Sequence, residues 1–366
     1  MTGILDIDTS RSLNRRILRD MSDGIMVINM SGHIMFMNAA AEDVLGVKFS
    51  RLSEQLFAAA FIADERNDAF NQLIINATYD KDAVHHGRVD YHPPDGDKTS
   101  DKDDAILPLS APLSLDLTVS FVYDDDDNKE GVVVLIEDVT KLVKVEREKR
   151  EGIQLFSYGL CVVVLFLFIW QILSAFMEVP NWLMARVMEL LTFSLAVFAL
   201  TQTSLTLKDI GLVAPLRQIR VTLIRGAAIG AVIIALFAVA RLIVDQIMPE
   251  TTASIPFFDW HLNEPAQQTY FFVAPFQELL AKGIVLTALL RIFYDSKNIL
   301  PIVFGSSMLF AAMHVNYGIS MMTVAFVMCF VTGWLYLKDK NIWGCAIVHF
   351  CLGFFVTCFG FEQMFL

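Results

Sequence analysis

The stretch KLVKVEREKREGIQLFSYGLCVVVLFLFIWQILS, residues 141–174, divides the 366-residue chain into two unlike parts. Its first eleven residues carry Lys141, Lys144, Arg147, Lys149 and Arg150. The remainder is an apolar run of the length a helix needs to cross hydrocarbon, about 20 residues. Before it lies an acidic region: the first 150 residues hold 28 Asp+Glu against 17 Lys+Arg. After it, 216 residues hold only 12 against 11. So low a charge density, among apolar runs of twenty residues or more, fits a bundle of transmembrane helices, whereas the acidic part reads as a water-exposed domain.

Neither part offers the basic surface that phosphate binding requires, which excludes nucleic acid as the natural partner. Cys161, Cys329, Cys345, Cys351 and Cys358 all fall in apolar segments and read as small buried hydrophobes rather than as a disulfide framework. The first twenty residues lack the apolar core of a signal peptide, so the acidic part is expected on the cytoplasmic side.

Seven spans are expected, at about 153–174, 181–203, 222–247, 268–290, 299–315, 318–337 and 342–364. Basic residues mark the cytoplasmic face. Residues 141–151 are rich in them, and the 204–225 loop carries Lys208, Arg217, Arg220 and Arg225 against Asp209. The 248–268 loop holds Glu250, Asp259 and Glu264 with no Lys or Arg and is placed outside. An integral protein of a bacterial inner or plasma membrane follows, N-terminus in and C-terminus out.

In the acidic part, residues 24–29 and 33–38 are short β-rich runs joined by Ser31-Gly32, which suits a hairpin turn. Asn38-Ala39-Ala40 and Glu42 open a helix that stops at Gly46. Further β-rich runs occupy 115–123 and 132–137 and close on Asp138-Val139-Thr140. The Ser22-Asp23-Gly24 lead-in, the hairpin, the helix and this closing triplet together resemble a PAS domain over about residues 12–140. That implies an α+β sensor domain, extending here over 1–140, which passes a signal through residues 141–151 and pairs readily into a homodimer. Its ligand is unknown: there is no Cys to form a flavin adduct, and His85, His86 and His92 sit in polar surroundings that suit surface histidines better than haem ligands. The stretches 95–104 and 124–128 read as solvated loops, the second lacking the ligand spacing of an EF-hand.

Ionisable residues inside apolar spans are functional candidates. Gln277, Glu278 and Lys282 lie in APFQELLAKGIVL, His314 in FAAMHVN, and His349 in GCAIVHFCLGFF. Glu278 and Lys282 are four apart, which also suits a self-neutralising ion pair. One carboxylate and two histidines on three helices are a set able to activate a water or to hold a metal such as zinc.

The order Gln277-Glu278-Leu279-Leu280-Ala281-Lys282, then Phe310 to His314, then His349, resembles the CPBP family of intramembrane proteases, which includes the CAAX prenyl endopeptidases. That family's motifs run EExxxR, FxxxH and HxxxN. Gly333-Trp334-Leu335-Tyr336-Leu337, Ile342-Trp343-Gly344 and Asp209-Ile210-Gly211-Leu212 extend the resemblance over about 180–360. It implies an all-α protease bundle over 152–366 that cuts a membrane-associated peptide or protein, a metalloprotease in which Glu278 takes the proton from a water held by His314. His349 would then stabilise the oxyanion, or Glu278, His314 and His349 would share a divalent metal. Three positions depart from the motifs: Gln277 replaces the first glutamate, and an amide takes no proton from water; Lys282 replaces the arginine and its planar fork; Gly353 replaces the final asparagine. Two readings therefore stand: a PAS-regulated intramembrane endopeptidase, and a catalytically inactive membrane sensor or scaffold that binds a partner or lipophilic peptide. A transporter lacks the paired helix breaks and inverted repeat it needs.

Overall fold

The computed structural model describes residues 16–53, 55–79, 84–94, 112–124 and 126–365; the expected loop at 95–104 lies outside them. The chain divides into two compact units, Met1–Val145 and Glu146–Leu366.

The first unit is built on a five-stranded antiparallel sheet of order β2-β1-β5-β4-β3, formed by β1 (Gly24–Asn29), β2 (Ile34–Met37), β3 (Val84–Tyr91), β4 (Leu113–Tyr123) and β5 (Lys129–Asp138). The strand period of two decides which face is covered. Leu115, Leu117 and Val119 of β4, and Val132, Val134 and Ile136 of β5, are buried against α1 (Ala39–Leu45), α2 (Asp68–Tyr79) and the aromatic cluster of Phe57, Phe61 and Phe70. Gly32, at φ +82°, makes the expected hairpin turn, and Gly46, at φ +68°, ends α1 in the left-handed conformation that glycine adopts without strain. The closing triplet is locked: Thr140 N–H donates to the Asp138 carboxylate, and Thr140 Oγ1 accepts from Ser114 N–H of β4.

Asn38 holds this unit together at one point. Its Oδ1 caps α1 by accepting from Ala41 N–H and also accepts from Ile25 N–H of β1, while its Nδ2 donates to the carbonyls of Leu18 and Asp23. Asn38→Ala removes a cap and three further bonds together and is expected to cost about 2 kcal/mol. Hydrogen exchange of the full-length protein reads this as faster exchange across β1 and β5; unchanged protection there would refute it.

The loop at 124–128 spends Asp124 on its own turn, where Oδ1 accepts from the amides of Asp126 and Asn128; Asp125 lies outside the described residues. His86 is mostly exposed on β3 and meets Asp116 at 3.2 Å.

The second unit comprises α3 (Thr140–Ser174) from Glu146 onward, α4 (Asn181–Gln202), α5 (Leu216–Ile247), α6 (Pro265–Glu278), a π-helical segment Leu279–Leu286 continued by Thr287–Ile292, then α7 (Leu300–Ala312), α8 (Gly318–Asp339), α9 (Trp343–Cys358) and α10 (Phe361–Phe365). Among the described residues, five helical stretches are long and apolar enough to cross a membrane: Thr140–Ser174, Asn181–Gln202, Leu216–Ile247, Gln267–Ile292 and Val315–Asp339. The spans expected at 299–315 and 342–364 are shorter than foreseen. α7 has 13 residues and α9 has 16, about 20 and 24 Å at 1.5 Å per residue, against about 30 Å of hydrocarbon. The first stops at the turn through His314, and the second at Gly360 with φ +72°. Outward side chains such as Phe168, Leu236, Phe271 and Ile319 are 61–76 % exposed. So continuous an apolar exterior, with backbone bonds satisfied inside helices, is the surface of an integral-membrane region.

Small residues set the helix spacing. A Cβ on Gly226 would lie 2.7 Å from the Gly344 carbonyl, and one on Gly230 would lie 2.5 Å from Cys351 Sγ, so this pair is where α5 meets α9. Gly211 turns with φ +74° and accepts from Ile342 N–H, while Leu212 accepts from Trp343 Nε1 and Asp209 from the Tyr336 hydroxyl. Glu151, buried at the foot of α3, accepts from Arg147 Nε, from the amide and hydroxyl of Ser204, and from Arg291 Nη1. Arg225 pairs with Asp339, and buried Arg241 pairs with Asp245 and donates to the carbonyls of Phe359 and Ile255.

Candidate functional site

The site begins with a break in helical geometry. Pro275 sits inside α6 and supplies no N–H. From Leu279 the helix widens into a π segment, closed where Thr287 N–H reaches back five residues to the Lys282 carbonyl. In apolar surroundings loosened carbonyls need other donors. Here Thr287 Oγ1 adds a bond to the Lys282 carbonyl at 3.1 Å, and Ser306 Oγ donates to the Ala281 carbonyl at 2.9 Å. With Ser307 donating to Val303, both serine hydroxyls bond to backbone carbonyls. The wide turn keeps Glu278 and Lys282 facing each other inside a segment buried along its whole length.

Glu278 is fully buried. Its Oε1 lies 2.9 Å from His349 Nδ1, and because an ionised carboxylate only accepts, Nδ1 carries the proton. Its Oε2 lies 3.3 Å from Lys282 Nζ. Lys282, equally buried, also donates to Cys329 Sγ at 2.9 Å and stands 5.7 Å from the centre of the Phe310 ring. Both readings of the i,i+4 spacing thus meet in one place: the ion pair forms, and it holds a histidine.

His314 belongs to the neighbouring surface. Its Nδ1 donates to the Phe310 carbonyl at 2.9 Å, which leaves Nε2 as an acceptor. The Phe310 ring stands between the two histidines, its centre 4.8 Å from that of His314 and 5.7 Å from that of His349. His314 lines two adjoining cavities of about 170 and 260 Å³. Gln277 lines the first, with its Oε1 buried and unpartnered among the described residues. Glu278 lines neither. The adjacent residues Gln277 and Glu278 therefore part company, the amide toward the cavity and the carboxylate into the packed interior.

Gly353 and Tyr270 line both cavities. A Cβ on residue 353 would lie 1.8 Å from Tyr270 Oη. The phenol thus fills the space in which the motif's asparagine side chain would begin. Tyr270 also stands with its ring 6.2 Å from His349.

The residues fit a divalent metal poorly. Among the described residues no group of three or more His, Cys, Asp or Glu is placed to hold one. The chemistry agrees, since a cation on Glu278 Oε2 would sit against the Lys282 ammonium, and Oε1 already accepts from His349.

Residues 12–139 match the family model described as PAS fold, and residues 266–355 match the one described as Type II CAAX prenyl endopeptidase Rce1-like. The chain carries a PAS-fold domain followed by an Rce1-like domain. The Rce1-like match holds Gln277, Glu278, Lys282, His314, His349 and Gly353, and is narrower than the 180–360 expected from the motifs. Solved PAS domains are similar to the first part. One from Colwellia psychrerythraea shares 15% identity over 36% of this chain and 97% of its own, at a TM-score of 0.28. One from an HTR-like protein of Haloarcula marismortui shares 14% over 36% and 94%, at 0.27. The PAS domain of Bordetella pertussis BvgS shares 12% over 37% and 92%, at 0.24. No curated protein matches the chain.

Several residues of this candidate site carry no signal in the sequence analysis. Tyr270 precedes Gln277 by seven residues, two helical turns, so periodicity alone placed it on the same face. Trp170, Tyr317 and Glu362 also line the first cavity, but they come from α3, the turn after His314 and α10, and no local pattern joins them.

Proposed function

We propose that this protein is a PAS-linked membrane receptor of the Rce1-like type, which captures a lipophilic peptide in the paired cavities and does not cut it. The observation that carries this reading is the division of labour between Gln277 and Glu278. The residue beside His314 at the cavity wall is an amide, which takes no proton from water, while the carboxylate is closed off and neutralised by Lys282. What is left is a binding site: aromatic and apolar walls with a few polar groups. In this reading the PAS domain is cytoplasmic, pairs with a second copy, and sets the receptor through residues 141–151. Glu151 is the joint, because it ties the foot of α3 to Arg291, at the end of the helical run that carries Glu278 and Lys282.

Membrane-peptide profiles from cells expressing the wild type and Glu278→Gln at equal levels test the reading, and they are expected to coincide. A fragment produced only by the wild type would overturn it. That result would establish the second reading, a PAS-regulated endopeptidase, which the 2.9 Å contact between Glu278 and His349 favours because a carboxylate orients a histidine for proton transfer in this way. For the PAS coupling, inserting four Gly/Ser residues after Lys141 should abolish the dependence of peptide capture on the PAS signal; unchanged dependence would sink the coupling.

A further inference from the structure

The first cavity has charge of one sign only. Its walls carry Glu264 and Glu362 and no Lys or Arg. Glu264 meets a histidine, His261 Nδ1 at 3.3 Å, and Glu362 accepts from the Thr357 hydroxyl at 2.8 Å. Neither pairs with a permanent cation in those contacts. Two further polar atoms of the lining are acceptors: Gln277 Oε1 has no partner among the described residues, and the His314 tautomer leaves Nε2 free of a proton. Trp170 and Tyr317, whose rings meet edge to face at 5.1 Å between centres, also line this cavity and add aromatic surface to which a cation is drawn. The adjoining cavity is apolar, lined by Phe237, Val324, Met328, Leu352 and Phe361. A carboxylate-bearing ligand would be repelled here, and a wholly apolar one without donors would leave the acceptors unpaired.

Resting on the receptor reading, we propose that the peptide it captures presents a lysine or arginine side chain within an otherwise apolar segment, the cation lying toward Glu264 and Glu362 and the apolar flank in the second cavity. A basic residue in an apolar segment gains from an anionic partner, and Glu264, 58 % exposed, and Glu362 supply the anions in the lining of this cavity.

The full-length protein in lipid nanodiscs is titrated with photo-crosslinking Leu/Ala peptides of about 20 residues, identical except for one central lysine, norleucine or glutamate. The lysine peptide is expected to half-saturate at about tenfold lower concentration than the norleucine peptide, with the glutamate peptide weakest. Glu264→Gln combined with Glu362→Gln should bring the lysine peptide to the norleucine level, whereas Glu362→Asp, which keeps the charge, should retain the preference. Equal capture of all three peptides by the wild type overturns this inference and leaves the receptor reading standing. Capture of none overturns both. Competition by dodecylammonium as effective as that by the lysine peptide assigns the cavity to a lipophilic amine and overturns the peptide assignment.

Discussion

Lys282→Met is expected to destabilise the membrane unit by about 3–5 kcal/mol, the cost of leaving a buried charge without its partner. Glu278 has no exposed surface, and its Oε2 lies 3.3 Å from the Lys282 ammonium. Methionine is similar in length and fits the apolar surroundings, so the loss reports charge rather than volume. The companion substitution sharpens the test: Glu278→Gln with Lys282→Met removes both charges and should recover much of the lost stability. Thermal unfolding in detergent reads both variants. If the single and double variants melt alike, the pair is not what holds this segment, and the account of Glu278 as a neutralised, closed-off carboxylate fails.

Gly353→Ala is the second large effect, at about 3 kcal/mol, the upper range of overpacking. The new Cβ would lie 1.8 Å from Tyr270 Oη and 2.5 Å from Cζ, separations that force the ring to leave its place. Because Tyr270 lines both cavities, its displacement should also weaken capture of a lipophilic peptide. Tyr270→Ala in the same chain makes room and should restore stability, a coupling that a double-mutant cycle measures. Gly353→Asn, which rebuilds the family motif, should therefore close the site rather than restore it. Gly353→Ala melting with the wild type would show that Tyr270 does not occupy that space.

Much of the architecture was legible because it rests on local, additive properties. Charge density and the length of apolar runs separate an acidic sheet domain from a membrane region wherever the two pack. The hairpin at Ser31-Gly32 and the stop at Gly46 are legible for a similar reason, since each needs a positive φ that glycine supplies. β3 was missed because Val84–Tyr91, VHHGRVDY, is a polar edge strand whose pairing with β4 supplies the evidence that its side chains do not. Seven full spans were expected where five helices reach membrane length. Apolar composition runs past the points at which the turn through His314 and Gly360 end α7 and α9.

The sequence by itself determined that Glu278 and Lys282 would share a helix face and that His314 and His349 would lie in apolar segments, because spacing and composition are properties of the chain. Only the tertiary structure decided which of the neighbours Gln277 and Glu278 meets the cavity. Successive residues of a helix point about 100° apart, and the direction that becomes interior depends on where α8 and α9 bring Cys329 and His349. The same packing put Tyr270 into the space above Gly353. Residues with the order of a protease motif thereby form a sealed ion pair beside an acceptor-lined cavity.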